Sequence, residues 1–248
     1  MDNTTTIALS RLIAQENAMD VRADNIANAS TPGFRASRIA FGDYLSLQNG
    51  AKAPKGGNVI DYTQNRATYR DQSIGAIGET GNPLDLALSN NGYFTVQTAG
   101  GVRLTRAGHF QLTADGTITD QNGNALLDVN NRPLQLAPTD TNPVITGDGT
   151  ISSAGGTIGQ IAVVTPNDPT QLQAEGNSLL AVNSGGTTPV ATPQVIQGAI
   201  EGSNVEAVSE TTGMMNDLRE FQFVTQLIDA EGQRQQDAID KLAAPAQP

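Results

Sequence analysis

The chain of 248 residues sets 14 Lys and Arg against 25 Asp and Glu, a net charge of −11 that opposes nucleic acid and anionic membrane surfaces as partners. It has no cysteine, hence no disulfide, thiol nucleophile or thiolate metal site, and its single histidine, His109, cannot build a histidine zinc site. Hydrophobic residues make up 38% and aromatics 4%, beside 26 glycines and 12 prolines, a balance that favours turns and short strands around a modest core.

At the N-terminus, Thr5, Leu9, Leu12, Glu16, Met19, Ala23 and Ile26 recur at alternating steps of four and three. That spacing predicts a helix from about Thr4 to about Ala29 with a stripe along one face. Ser30-Thr31-Pro32-Gly33 ends it, because proline disfavours helix at Thr31 and glycine permits the turn. No basic region with an apolar run precedes this helix, and no stretch approaches the ~20 apolar residues of a membrane span. Neither a cleaved leader nor membrane insertion is therefore expected.

From Phe34 to about Thr80 the periodicity fades among Gly50, Pro54, Gly56 and Gly57, which reads as an extended arm. A step of two returns with Leu84, Leu86 and Leu88 on one face and Asp85, Ala87 and Ser89 on the other. Turn signals at Asn91-Gly92, Gly100-Gly101, Gly108, Asp115-Gly116 and Asn122-Gly123 then bracket short runs: Tyr93 to Gln97, Val102 to Arg106, Phe110 to Thr113 and Thr117 to Thr119. These predict an antiparallel β module, extended by Ile158 to Val164 and Ser178 to Val182. His109 reads as a strand-edge residue, and the Asp115, Asp120, Asn122 and Asn124 cluster as turn chemistry rather than a calcium loop.

The last segment is helical again, with Met214, Leu218, Phe221, Thr225, Ile228, Gln235, Ile239 and Leu242 on one stripe. Asp217, Glu220, Asp229 and Glu231 fall off it, available to water or to Arg11 and Arg22. Residues 1–70 hold eight Lys/Arg against six Asp/Glu, and residues 201–248 three against nine, so the two ends attract. The expected fold is α+β: N- and C-terminal helices pairing as a coiled-coil-like unit, and a central, mainly antiparallel β domain. The boundaries are 1–33 for the first helix, 34–80 for the arm, 81–200 for the β domain and 201–248 for the last helix.

Three blocks in order resemble the flagellar rod, hook and hook-junction protein family. Ala23-Asp24-Asn25-Ile26-Ala27-Asn28-Ala29-Ser30-Thr31-Pro32-Gly33-Phe34 is similar to that family's signature at the end of its first helix. Thr80 to Leu88 with Gly92-Tyr93-Phe94, then Leu104-Thr105-Arg106-Ala107-Gly108-His109-Phe110, resemble its central module. Glu201-Gly202-Ser203-Asn204-Val205, with Met214, Arg219 and Phe221, resemble its C-terminal elements, although Gly213 and Gln222 depart from the usual pattern. The length and the short arm favour the proximal-rod type, with the distal-rod type second.

The resemblance implies a structural subunit, with no catalytic role and no cofactor or metal, that assembles with other copies and other rod proteins into a torque-transmitting shaft around an export channel. It further implies passage through the flagellar export apparatus to the periplasmic basal body without a cleaved leader. On this reading assembly rests on Leu9, Leu12, Met19 and Ile26 of the first helix, Asn28, Gly33 and Phe34 at its exit, and Met214, Leu218, Phe221, Ile228 and Ile239 of the last. A secreted β-rich adhesin would not need the two helical ends. A polysaccharide-acting enzyme would need a carboxylate pair and aromatic platforms, ill served by no Trp, four Tyr and six Phe.

Overall fold

A computed structural model describes residues 2–47, 59–137, 143–153, 155–176 and 178–243. The chain forms two compact units, one of Met1–Ile26, Ser37–Tyr69 and Ala207–Pro248, the other of Ala27–Ala36 and Arg70–Glu206.

In the first unit, helix α1 spans Asp2–Ala27 and helix α2 spans Ala207–Ala243. Glu210 sits in the first turn of α2 and Lys241 in its last, both favourable to the helix dipole. Between the helices in sequence, Ser37–Leu47 and Val59–Arg70 pair as a two-stranded sheet where the sequence reads only as an arm. The segment lacks the sustained alternation that a sheet with one buried face imprints on its sequence. Gly50, Pro54, Gly56 and Gly57 lie outside the described residues.

The second unit is the β domain, mainly antiparallel. Its largest sheet is built on the hairpin Tyr93–Thr98 and Gly101–Thr105, in register from Phe94 opposite Thr105 to Thr98 opposite Gly101. Phe110–Leu112 and Ile118–Asp120 form a second hairpin in the same sheet, and Leu179–Val182 pairs with Gly101–Thr105. Val144–Ile145, Thr150–Ser153 and Gly156–Gln160 make a separate three-stranded sheet. The stretch expected as one strand from Ile158 to Val164 is split, with Val163–Pro166 pairing against Tyr93–Thr98.

Leu86, Leu88, Phe94, Val96, Phe110, Ile118, Leu126 and Ile161 form the core, with Phe94 and Phe110 edge to face at 5.6 Å between ring centroids. Burial of such side chains contributes about 1.5–3 kcal/mol each, which makes this cluster the main source of the unit's stability. Around Leu86 the expected alternation fails: Asp85, Leu86, Ala87 and Leu88 are all buried. Asp85 is accommodated inside because it accepts hydrogen bonds from Thr80 Oγ1 and Asn82 Nδ2, with His109 Nδ1 2.8 Å away across an isolated bridge. Asp120 closes its turn by accepting from the backbone N–H groups of Asn122 and Asn124.

The unit reaches slightly beyond 81–200 at both ends, to Ile77–Glu79 and to Glu201. Val195–Gln197 pairs with Leu86–Leu88, and Ala199–Glu201 pairs with Ile77–Glu79. Glu201, taken from the sequence as the start of the last helical segment, is thus a strand residue, and α2 begins at Ala207.

Candidate functional site

The first unit brings α1 and α2 side by side and antiparallel. Arg11 Nη2 and Gln15 Nε2 donate to Glu220 Oε2 at 3.2 and 2.9 Å, and Arg22 Nε donates to Asp217 Oδ2 at 2.6 Å. Glu210, 3% exposed, accepts from Arg22 Nη1 and from Arg38 Nη1. The attraction expected between the chain's ends is therefore concrete, and Arg11 and Arg22 meet carboxylates set off the α2 stripe.

The face that α1 turns to α2 runs through Ala8, Arg11, Gln15, Ala18 and Arg22, the same steps of three and four as the expected stripe but displaced by one residue. One residue is a rotation of about 100°. Small and polar side chains face the partner helix, while Leu9 is 53% and Ile13 52% exposed. On α2, Val224 is buried, Met214, Phe221 and Ile228 are half-buried, and Leu218 and Ile239 are exposed. Leu12, Met19 and Ile26 are half-buried. Gly213 has a local reason: a Cβ there would stand 2.3 Å from Arg22 Nη1, so a larger residue would displace the guanidinium from Asp217 and Glu210.

Asn25, 1% exposed, was not among the expected assembly residues. Its Nδ2 donates to the Ser37 carbonyl at 3.0 Å while Ser37 N donates to its Oδ1 at 2.8 Å, so the side-chain amide pairs with backbone as a neighbouring strand would.

In the second unit, the exit from α1 is fixed by backbone. Asn28 O accepts from Thr31 N, Thr31 O accepts from Phe34 N, and Gly33 at φ +68° donates to Glu201 O at 2.8 Å. Phe34 is buried with the Arg70 guanidinium 5.3 Å from its ring centroid. Beside it lies a charged node that sequence reasoning missed. Arg106 Nη1 donates to Glu201 Oε2 at 2.7 Å and to Leu88 O, and its Nη2 to Asn90 O. Arg35 Nη2 lies 3.8 Å from Glu201 Oε1, and its Nη1 donates to Gln72 Oε1. Both guanidiniums approach the Tyr93 ring, at 5.4 and 5.5 Å. All four side chains are buried. Burial, then the charge of Arg35, push the Arg106 guanidinium below its ordinary range, and Glu201 opposes the shift. The available signal was a glutamate and two arginines sitting inside otherwise apolar, glycine-rich motifs.

Asn204 stitches the adjoining chain passages: its Oδ1 accepts from Ala36 N at 2.7 Å and its Nδ2 donates to Ser73 O at 3.0 Å. This arrangement holds segments together and offers no reacting group positioned against a cleft.

Comparison with known proteins decides the family. Residues 6–35 match the family described as flagella basal body rod protein, residues 87–153 the flagellar hook protein FlgE/F/G D1 domain, and residues 196–241 the flagellar basal body rod FlgEFG protein C-terminal region. The chain is 31% identical to the flagellar basal-body rod protein FlgF of Caulobacter vibrioides over 98% of both chains. This chain belongs to the flagellar basal-body rod protein family. It is 30% identical to FlgF of Mesorhizobium japonicum over 98% of this chain and 99% of that one, and 32% identical to FlgG of Bacillus subtilis over 91% and 93%. It is a structural rod subunit of the bacterial flagellum. The three matched segments of the rod protein, far apart in sequence, each contribute one charge to the buried node: Arg35, Arg106 and Glu201.

Proposed function

We propose that the subunit is built into the rod by α1 and α2, packing as a coiled-coil-like unit against other copies and other rod proteins, with the β domain supporting them. The observation that carries this is the arrangement of α1 and α2: they meet through charged, polar and small side chains beside the buried Val224, and leave Leu9, Ile13, Met215, Leu218, Phe223, Leu227 and Ile239 at the surface. Apolar residues crowded on exposed helices mark surfaces that another chain covers. Contacts made by different patches on each neighbour propagate an open helical array rather than a closed ring, which suits a torque-transmitting shaft around a channel.

On this reading Leu12, Met19, Ile26, Met214, Phe221, Ile228 and Ile239 contribute to the packed wall, and Asn28, Gly33 and Phe34 shape the chain at the exit from α1. The subunit reaches the periplasmic part of the basal body through the flagellar export apparatus, and works without cofactor. Among the described residues no helix is long and apolar enough to cross a membrane. The relatives named FlgF favour the proximal-rod type.

The test is complementation of a strain lacking the subunit. Leu9→Asp and Leu218→Asp should each abolish swimming, because a charge is buried in every repeated contact, while the purified variants keep wild-type circular dichroism and melting. Normal swimming by both would remove these helices from the assembly surface.

A further inference from the structure

The β unit contains two arginines with a single anion between them. Arg35 and Arg106 are 3% and 1% exposed, and among the described residues the ion pairs of both end on Glu201, itself 1% exposed. Arg35 Nε and Arg106 Nε have no hydrogen-bond acceptor among the described residues, and the other partners of the two guanidiniums there are neutral: the Leu88 and Asn90 carbonyls, Gln72 and the Tyr93 ring. Glu201 is seated by distant partners: Gly75 N donates to its Oε1 from 126 positions earlier, and Arg106 lies 95 positions earlier. It lies in Ala199–Glu201, the last strand of the chain before α2.

We propose that Glu201 makes closure of the β unit conditional on this final strand. Arg35, Arg106 and the Tyr93 ring between them cannot be taken out of water until Glu201 is in place. A guanidinium buried without its anion carries a desolvation penalty that is large against the narrow margin by which a domain stays folded. The hairpin Tyr93–Gly101–Thr105 is local, but Tyr93 at its start ties the sheet to the node. Among the described strands, Leu86–Leu88 likewise pairs with Val195–Gln197, more than 100 positions later in the chain. Contacts across such separations give nothing back until the long loops are closed.

Asn204 completes the lock, bonding Ala36 and Ser73 only three residues before α2 begins. A chain that is only partly available, whether still being made or still being threaded, therefore keeps its β unit open. This inference goes beyond assembly and does not depend on which surface the helices use.

Pulse-labelling hydrogen exchange during refolding of the full chain tests it. The amides of Phe94, Val96 and Leu104 should gain protection in the same kinetic phase as those of Ile200 and Gly202. Protection of the central strands in an earlier phase, with the final strand following, overturns the proposal. Independently, the full-length Glu201→Gln variant should lose at least about tenfold in native-state protection at Phe94 and Val96, whereas Glu79→Gln, exposed on the strand paired with Glu201, should leave it unchanged. Protection in Glu201→Gln within twofold of wild type also overturns it. The wild-type kinetics decide the matter even if that variant does not fold.

Discussion

Gly33 holds a left-handed backbone conformation, and a Cβ on it would stand 2.3 Å from the Arg106 carbonyl carbon. From sequence, its replacement by valine is expected to harm assembly more than the β domain. The structure reverses that weighting, since Gly33 is packed within the β unit and bonded to Glu201. Gly33→Val should lower the stability of the β unit by at least ~2 kcal/mol, through a β-branched residue at positive φ and a backbone collision, read as a fall in its denaturant midpoint. In the helical unit the sensitive residue is Glu210, a buried carboxylate between Arg22 and Arg38. Glu210→Ala removes an acceptor that Arg22 and Arg38 share, while Arg22 keeps Asp217, and should cost about 2 kcal/mol, seen as loss of helical signal at a lower temperature. The exposed pair Arg11–Glu220 should respond far less, because water and salt screen it.

At the scale of the element, both terminal helices were legible from their period, but the face that meets the partner helix was not. The expected stripe on α1 was the most apolar one, whereas the face toward α2 carries Ala8, Arg11, Gln15, Ala18 and Arg22. Hydrophobicity marks surface that must be covered without naming what covers it, and inside one chain the charges took that role. Gly213→Ala follows from the same packing. In an open helix that change stabilises by about 1 kcal/mol, but here it pushes on Arg22, so melting should stay level or fall. Further along α2, hydrogen bonds from Arg234 first, and then Gln235, lower the Glu231 pKa to about 2. Its folded pKa lies below the unfolded value, so the associated stability is present above about pH 4.3 and is lost as pH falls toward 2. An NMR titration should find that midpoint, and Arg234→Ala should return it toward the ordinary carboxylate range.

At the scale of the molecule, the chain lays its matched segments far apart and then joins three of them at one buried point. The β unit includes Ala27–Ala36 from the N-terminal side and everything to Glu206. A chain ending after residue 206 retains Glu201, Asn204 and every strand of that unit. It should keep the cooperative unfolding of the β unit while failing to restore swimming. Loss of cooperative unfolding in that variant would mean that α2 is needed for the β unit itself.

Sequence alone determined the class of this protein: two helical ends from the 3–4 spacing, a glycine-punctuated antiparallel middle from regular turns, and membership in the rod family from three motif blocks. Each of these is a local signal, written in residues within a few positions of one another. Only the tertiary structure decided that Glu201 is a strand residue, that Asp85 lies inside, that Asn25 imitates a strand neighbour, and that Arg35, Arg106 and Glu201 share one buried site. Those outcomes depend on pairings from 12 positions apart at Asn25 to 95 or more at Glu201, or on a burial that no local period encodes, and a charge's partner is set by where the chain returns rather than by what stands beside it in sequence.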